Sequence, residues 1–285
     1  MGVSVFILLG CELFLVTKLL YLSVIMDNTL KEYLDQTAAR INVPSFVDSD
    51  PIQFPRRFSR LEDIEIVSFL ASHIAWGHRK MICNNCEKLL AWMNGEPHRW
   101  LMEGAYEELE DEQNVHRTFF ASSLKYMARG LRRVYADYGT MQDCARRCNI
   151  HLAEESSWLL VQRLNEVLHH ENGVGDKYCF PQDMKKTALK RVNMALRWLV
   201  RDDGIVDMGV WDVITPAQLF IPLDVHVGDT ARRLGLLQMS SNDKYAVLHL
   251  TSRLREMRPQ DPVFYDFALF GVGVEDKAAK KAGRA

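Results

Sequence analysis

Two lysines and one aspartate stand out as residues whose types could carry out covalent chemistry together. Lys186 and Lys190 lie on a stretch rich in basic residues, and Asp224 follows an apolar run farther along the chain. A lysine amine whose pKa is lowered by burial or by cationic neighbours is a nucleophile that can form a Schiff base. A carboxylate opposite it can accept protons and stabilise developing positive charge. The sequence therefore predicts a Lys/Asp pair, with either lysine as the nucleophile.

The stretch from Met184 to Arg201 predicts a helix with one basic face. It contains six basic residues and no acid. At about 100° per residue, five polar side chains share an arc of about 60–80°: Lys186, Lys190, Asn193, Arg197 and Arg201. An ordinary surface helix mixes acids and bases to form i,i+4 pairs, so the missing acids favour a functional face. A solvated basic face explains the same pattern.

Asp224 and His226 lie where the apolar run from Leu219 gives way to a helix predicted over 225–237. Aspartate is a good N-cap residue, because its carboxylate accepts backbone N–H bonds. Asp224 therefore has a structural explanation beside the chemical one, and capping does not exclude chemistry. His226, two residues on, could orient Asp224 or contact an anion.

Composition and periodicity predict an all-α fold. The chain has 285 residues, 48% of them hydrophobic and 25% charged, which is ordinary for a globular protein. Helical periodicity recurs throughout, while β alternation is nearly absent. Residues from Val43 to Pro55 predict a solvent-side connection, and Gly77 predicts a junction between helices. The net charge of −2 means that any affinity for nucleic acid must come from local patches.

Two groups of motifs resemble known DNA repair proteins. Lys185-Lys-Thr-Ala188, followed by Pro222-Leu-Asp-Val-His-Val-Gly-Asp-Thr-Ala-Arg-Arg-Leu-Gly235, is similar to the core of the helix-hairpin-helix DNA glycosylases, the endonuclease III group. A wider set of motifs is similar to an uncharacterised bacterial family near the archaeal 8-oxoguanine DNA glycosylase branch. That set consists of Lys190-Arg-x-Asn-Met-x-Leu-Arg-Trp-x-Val-Arg201, Asp207-x-Gly-x-Trp211, Pro222-Leu-Asp-x-His226 and Asp261-Pro-Val-x-Tyr-Asp-Phe-Ala-Leu-Phe-Gly271. The closer resemblance covers roughly residues 30–275.

The resemblance implies a two-lobed, DNA-glycosylase-like helical domain over 26–275. It also implies a base-excision repair glycosylase, with or without lyase activity, whose partner is double-stranded DNA with an oxidised or alkylated base. The catalytic lysine is Lys186 by the Lys-Thr-Ala match and Lys190 by the closer family match, and we favour Lys190. The alternative is a catalytically silent nucleic-acid-binding protein on the same scaffold. The Gly173-Val-Gly175 turn departs from the glycosylase pattern, because it stands about ten residues before Lys185.

Further residues are candidates for contacts with nucleic acid. Arg191, Arg197 and Arg201 are interpreted as phosphate or base contacts, since a guanidinium does not deprotonate. Trp76 or His78 could contact a base in the pocket, because an extruded base needs a stacking surface. A plain helix junction with exposed charges explains the same Trp76 to Lys80 segment.

We expect no cofactor and no metal. Cys83 and Cys86, like Cys144 and Cys148, lie in helical patterns without the turn glycines of a zinc knuckle. The four-cysteine iron–sulfur cluster of many endonuclease III relatives follows the Asp motif, and this chain has no cysteine after Cys179. Reduced thiols are typical of a cytoplasmic protein.

The two ends of the chain differ from the rest. Residues 1–25 are apolar and are interpreted as translated upstream sequence, with a membrane anchor as the alternative. Glu12 and Lys18 make a membrane span costly. Residues 276–285 are expected to form a disordered basic tail.

Overall fold

The structure, a computed structural model, describes residues 28–282, with side chains through residue 273, and its regular secondary structure is almost entirely helical. This confirms the all-α prediction. Within the described residues the only strands are β1 (Asn114–His116) and β2 (Phe119–Phe120), which form a small antiparallel hairpin. None of the described helices combines the length and apolar character that a membrane crossing requires. The predicted N-terminal extension, 1–25, lies outside the described residues.

Eleven α-helices, joined by short 3₁₀ turns, are found within residues 28–282. They are α1 (28–41), α2 (Leu61–His73), α3 (Arg79–Trp92), α4 (Pro97–Glu103), α5 (Ala121–Tyr138), α6 (Met141–Arg147), α7 (Ser156–Asn172), α8 (Lys190–Val200), α9 (Val225–Arg233), α10 (Lys244–Met257) and α11 (Tyr265–Ala282). We expected a disordered tail over 276–285, but α11 continues to Ala282, so residues 276–282 are helical.

Three helix pairs place the elements that matter here. The helix α5 packs on α7, α2 packs on α8, and α9 packs on α11. The α5–α7 contact is close because Gly130 lies against Leu168, where an added Cβ would come within 2.3 Å of Leu168 Cδ1. One connected cluster of buried apolar side chains runs from Leu34 to Leu269. The division into two lobes stays a prediction.

The basic helix begins later than its periodicity predicts. Residues 184–189 form turns and extended chain, and α8 starts at Lys190. Leu189, the residue before it, has the left-handed backbone conformation, with φ of 49°. That conformation is costly for a leucine and breaks the helical path. Lys186 is therefore not on the same helical face as Lys190.

A buried carboxylate ties α2 to the connection between α8 and α9. Glu65 is fully buried and accepts hydrogen bonds from the Met141 and Gln142 amides at 2.9 and 2.8 Å. It also accepts from the Tyr135 hydroxyl at 3.0 Å and from the Trp211 indole N–H at 2.8 Å. Burial, opposed by these hydrogen bonds, raises the pKa of Glu65 to about 6. Trp211 thus anchors a long irregular segment to the core.

Candidate functional site

A cleft of about 680 Å³ lies where α8, α9 and α11 meet the 3₁₀ segment Pro44–Ser49 and the α2–α3 junction. That volume is within the usual range of small-molecule sites, about 300–1,000 Å³. Its walls combine aromatic side chains with charged ones. The aromatic part consists of Phe46, Trp76, Phe119, Tyr178, Phe267 and Phe270.

Lys190 and Asp224 line this same cleft. Lys190 is the first residue of α8 and half-buried, and its ammonium nitrogen lies 3.5 Å from the Met194 sulfur. A thioether solvates a cation poorly, so burial lowers the pKa of Lys190, against the opposing charge of Asp224. The amine is thereby brought closer to its nucleophilic form at neutral pH.

Asp224 has the capping role that the sequence predicts, and its chemical role stays a prediction. It is the N-cap of α9, and one carboxylate oxygen, Oδ1, accepts the His226 and Val227 amides at 2.9 and 3.0 Å. The residue is only half-buried and faces the cleft that contains Lys190. Capping fixes the direction of the side chain, which is what a proton acceptor at a defined position needs. His226 is exposed and lines the same cleft.

Asp266 is a cleft residue that the sequence analysis did not single out. It is 8% exposed, lines the cleft, and forms an ion pair with Arg197. Burial raises its pKa to about 6, against the opposing effect of Arg197. The available signal was its position: a charged residue between Tyr265 and Phe267, inside an apolar run.

Arg197 and Arg201 do not form a basic surface, which corrects the predicted basic helix face. Arg197 is 4% exposed and bonded to Asp207 and Asp266, although it borders the cleft. Arg201 is 3% exposed, bonds to Asp203, Asp207 and Asp261, and does not line the cleft. Partners from other parts of the chain neutralise both guanidinium groups. Arg201 is therefore placed in the core, away from any surface where it could contact a phosphate.

Trp76 and Arg191 form one aromatic–cation wall of the cleft. The Arg191 guanidinium carbon lies 5.2 Å from the centre of the Trp76 ring, and its Nη1 donates to the His73 carbonyl at 2.8 Å. Trp76 is held in turn by His116, whose Nε2 donates to the Trp76 carbonyl at 2.8 Å and whose ring meets the indole edge-on. The indole is thus held in place in the lining of the cleft.

The lining also includes two residues from the segment that the sequence predicts to be a solvent-side connection. Phe46 and Asp50 line the cleft, and Arg79 joins them to α11. The Arg79 guanidinium lies 5.1 Å from the Phe270 ring centre and 5.9 Å from that of Phe46. It also approaches Asp50 at 3.7 Å. This segment is therefore part of the site, and its proline-rich sequence gave no sign of that.

Besides Arg201, two predicted site residues lie outside the cleft. Lys186 is exposed and on the loop before α8, and its carbonyl accepts the Lys244 amide at 3.1 Å. His78 is exposed as the N-cap residue of α3 and does not line the cleft beside Trp76. The structure thus brings together Lys190, Asp224, Arg191, His226 and Trp76, and it separates Lys186 and His78 from them.

The five cysteines of the described residues are free thiols. Cys86, Cys144 and Cys179 are buried, and burial raises the pKa of all three. Within the described part of the chain, no group of three or more His, Cys, Asp or Glu side chains is arranged to hold a metal ion.

Comparison with known proteins gives a family without an assigned activity. Among curated proteins and solved structures, nothing matches this chain at a significant level. A family profile described as "Protein of unknown function (DUF2400)" matches residues 50–275, which is most of the chain. The chain therefore belongs to the DUF2400 family.

Proposed function

We propose that this protein is a DNA glycosylase that removes a damaged base from duplex DNA, with Lys190 as the nucleophile and Asp224 as its carboxylate partner. The observation that carries the proposal is that these two residues, distant in the chain, line one cleft. The lowered pKa of Lys190 supports its role as an amine nucleophile.

The walls of the cleft suit an extruded nucleobase. A base taken out of the duplex loses its stacking partners, and enzymes replace them with aromatic or apolar side chains. Trp76, Phe46 and Phe270 are aromatic side chains of this kind in the lining of the cleft. Asp266 and Arg191 add polar groups that can bond to a bound nucleotide.

The proposed reaction uses the amine in its free form. The Lys190 nitrogen bonds to the sugar C1′ while the C1′–base bond breaks, and the base leaves with the bonding electron pair. Asp224 accepts the proton released by the amine, and that proton can pass to the departing base. The C1′–O4′ bond then breaks, O4′ takes a proton from water, and the nitrogen lone pair completes the C=N bond of a protonated Schiff base between Lys190 and the sugar.

Trapping with borohydride tests this proposal. Duplexes that each contain one oxidised or alkylated base are incubated with the protein and sodium borohydride, which reduces a Schiff base to a stable covalent adduct. We expect an adduct with the wild type, none with Lys190→Ala, and an undiminished adduct with Lys186→Ala. Lys186 is a matched control because it is an exposed lysine outside the cleft.

Other outcomes reject parts of the proposal. An adduct that is lost in Lys186→Ala and kept in Lys190→Ala would reject the assignment of the nucleophile. DNA binding that weakens steeply with salt, with neither adduct nor released base for any duplex, would favour a nucleic-acid-binding protein without catalysis.

A further inference from the structure

The charges that line the cleft do not balance. The lining contains five lysine or arginine residues and three aspartates. Arg197 is paired with Asp266, and Arg79 lies near Asp50. Three cations remain, and Asp224 is the single carboxylate left for them.

Asp224 is matched with Lys190, since its charge is the largest one acting on the Lys190 amine. The excess of positive charge is therefore carried by Arg191 and Lys177. Each of these two cations lies over an aromatic ring, Arg191 over Trp76 and Lys177 over Tyr178, at 5.2 and 5.0 Å from the ring centres.

Arg191 has unused hydrogen-bonding capacity. A guanidinium has five N–H donors, and within residues 28–273 the hydrogen bond of Arg191 is the one to the His73 carbonyl. No carboxylate of the described residues pairs with it, in contrast to Arg197 and Arg201 on the same helix. A half-buried cation without a counter-charge is costly, and an anionic ligand removes that cost.

Arg191 and Lys177 lie at the same end of the cleft because His73 connects their segments. Its backbone carbonyl accepts from Arg191, and its Nε2 donates to the Tyr178 carbonyl at 2.9 Å. The acid nearest in sequence, Asp176, is engaged elsewhere: it accepts from the Ser123 hydroxyl at 2.8 Å and from the Tyr178 amide at 2.6 Å.

We infer that Arg191 and Lys177 form a phosphate-binding subsite that holds a phosphate flanking the extruded nucleotide. The inference rests on the proposed function for the identity of the ligand. A phosphate fits better than a neutral base edge, because only an anion compensates the charge, and guanidinium binds phosphate through paired N–H bonds. The subsite fixes the direction of the bound nucleotide, with its phosphate at the Trp76–Tyr178 end of the cleft and its reacting sugar carbon toward Lys190 and Asp224.

The test uses a duplex that cannot react. A fluorescent duplex with a single tetrahydrofuran abasic analogue keeps the sugar and phosphates and has no aldehyde for Lys190 to attack. Dissociation constants are measured at fixed salt for this duplex and for two copies in which the 5′ or the 3′ flanking phosphate is a neutral methylphosphonate. The proteins are the wild type, Arg191→Gln, Lys177→Gln and Lys186→Gln.

We expect one methylphosphonate to weaken wild-type binding about 10-fold, as the loss of a charge-assisted hydrogen bond does. Arg191→Gln should bind the unmodified duplex about 10-fold more weakly and respond little to that methylphosphonate. This non-additivity shows that residue and phosphate interact. Lys186→Gln should behave as the wild type. If Arg191→Gln does not fold, Lys177→Gln, a substitution of an exposed residue, carries the same comparison.

Additive effects of the methylphosphonate and the substitutions would overturn the inference. Deoxyguanosine monophosphate serves as a second probe, and a wild type that binds neither the duplex nor this monophosphate would also overturn it. Binding of the monophosphate alone, dependent on Arg191, would support the subsite and assign it to a free nucleotide. Because the duplex is unreactive, the result is independent of base release. A protein that binds as expected but releases no base refutes the proposed function and keeps the subsite.

Discussion

The carboxylate of Asp266 forms an ion pair with Arg197 at the boundary between the hydrophobic core and the cleft. Two further contacts hold the Arg197 side chain. Its Nε donates to Asp207 Oδ1 at 3.2 Å, and its guanidinium carbon lies 4.5 Å from the centre of the Phe267 ring. Asp266 is thus held by a buried arginine, and it also lines the cleft that contains Lys190. Arg197, which the sequence places on a predicted DNA-binding face, instead holds Asp266 at the proposed active site.

The pH dependence of stability should report on Asp266. Its pKa rises from 3.8 to about 6 on folding, chiefly through burial. The folded state therefore binds this proton more tightly than the unfolded state, so the free energy of unfolding should fall as pH rises from about 4 to about 6. Urea unfolding across this range should show a shallower slope for Asp266→Asn. Some slope remains, because the pKa of Glu65 is also raised to about 6. Equal slopes would contradict the prediction.

Asp224→Asn should separate capping from chemistry. Asparagine is as good an N-cap as aspartate, so the free energy of unfolding should change little, whereas Asp224→Ala should cost about 1 kcal/mol. Both substitutions remove the proposed proton acceptor, so single-turnover base release should fall about 100-fold or more. A fully active Asp224→Asn protein would leave Asp224 as a cap without a catalytic role.

Arg201→Lys should reduce stability and leave DNA affinity unchanged. A lysine keeps the charge but cannot bond to three carboxylates from one planar group. With Asp207 fully enclosed, we expect the free energy of unfolding to fall by about 1–3 kcal/mol. Lys185→Ala, at an exposed position, should stay within about 0.5 kcal/mol of the wild type. A stable Arg201→Lys protein with weakened DNA binding would restore the phosphate-contact interpretation.

Gly130→Ala should loosen the contact between α5 and α7. The added methyl group would come within 2.5 Å of Leu168 Cγ and 3.0 Å of its Cα, so the helices must separate. Overpacking of this kind costs about 1–3 kcal/mol, measurable by urea unfolding. Gly175→Ala is a matched control, since nothing lies within 4 Å of its added Cβ. Similar stabilities of the two variants would contradict a tight α5–α7 contact.

The sequence predicts the helical fold and part of the site, and its errors have identifiable physical causes. Periodicity places Lys190 and Arg197 on one face, and both border the cleft. It fails at Lys186 because the helix begins only after Leu189, and nothing in the sequence indicates the left-handed conformation of Leu189. It fails at Arg201 because an acid-free helix has two explanations, a ligand-binding face or acidic partners elsewhere in the chain. Only tertiary contacts decide between them.

The hydrogen bond between Trp211 and Glu65 has a consequence for how members of this family can diverge. It fastens the middle of the α8–α9 connection to a carboxylate that α5 and α6 also hold. Trp211 therefore gives the connection a fixed point between Lys190 and Asp224. We therefore expect changes in the length of the irregular segment next to Trp211 to be tolerated while Lys190 and Asp224 keep their mutual position.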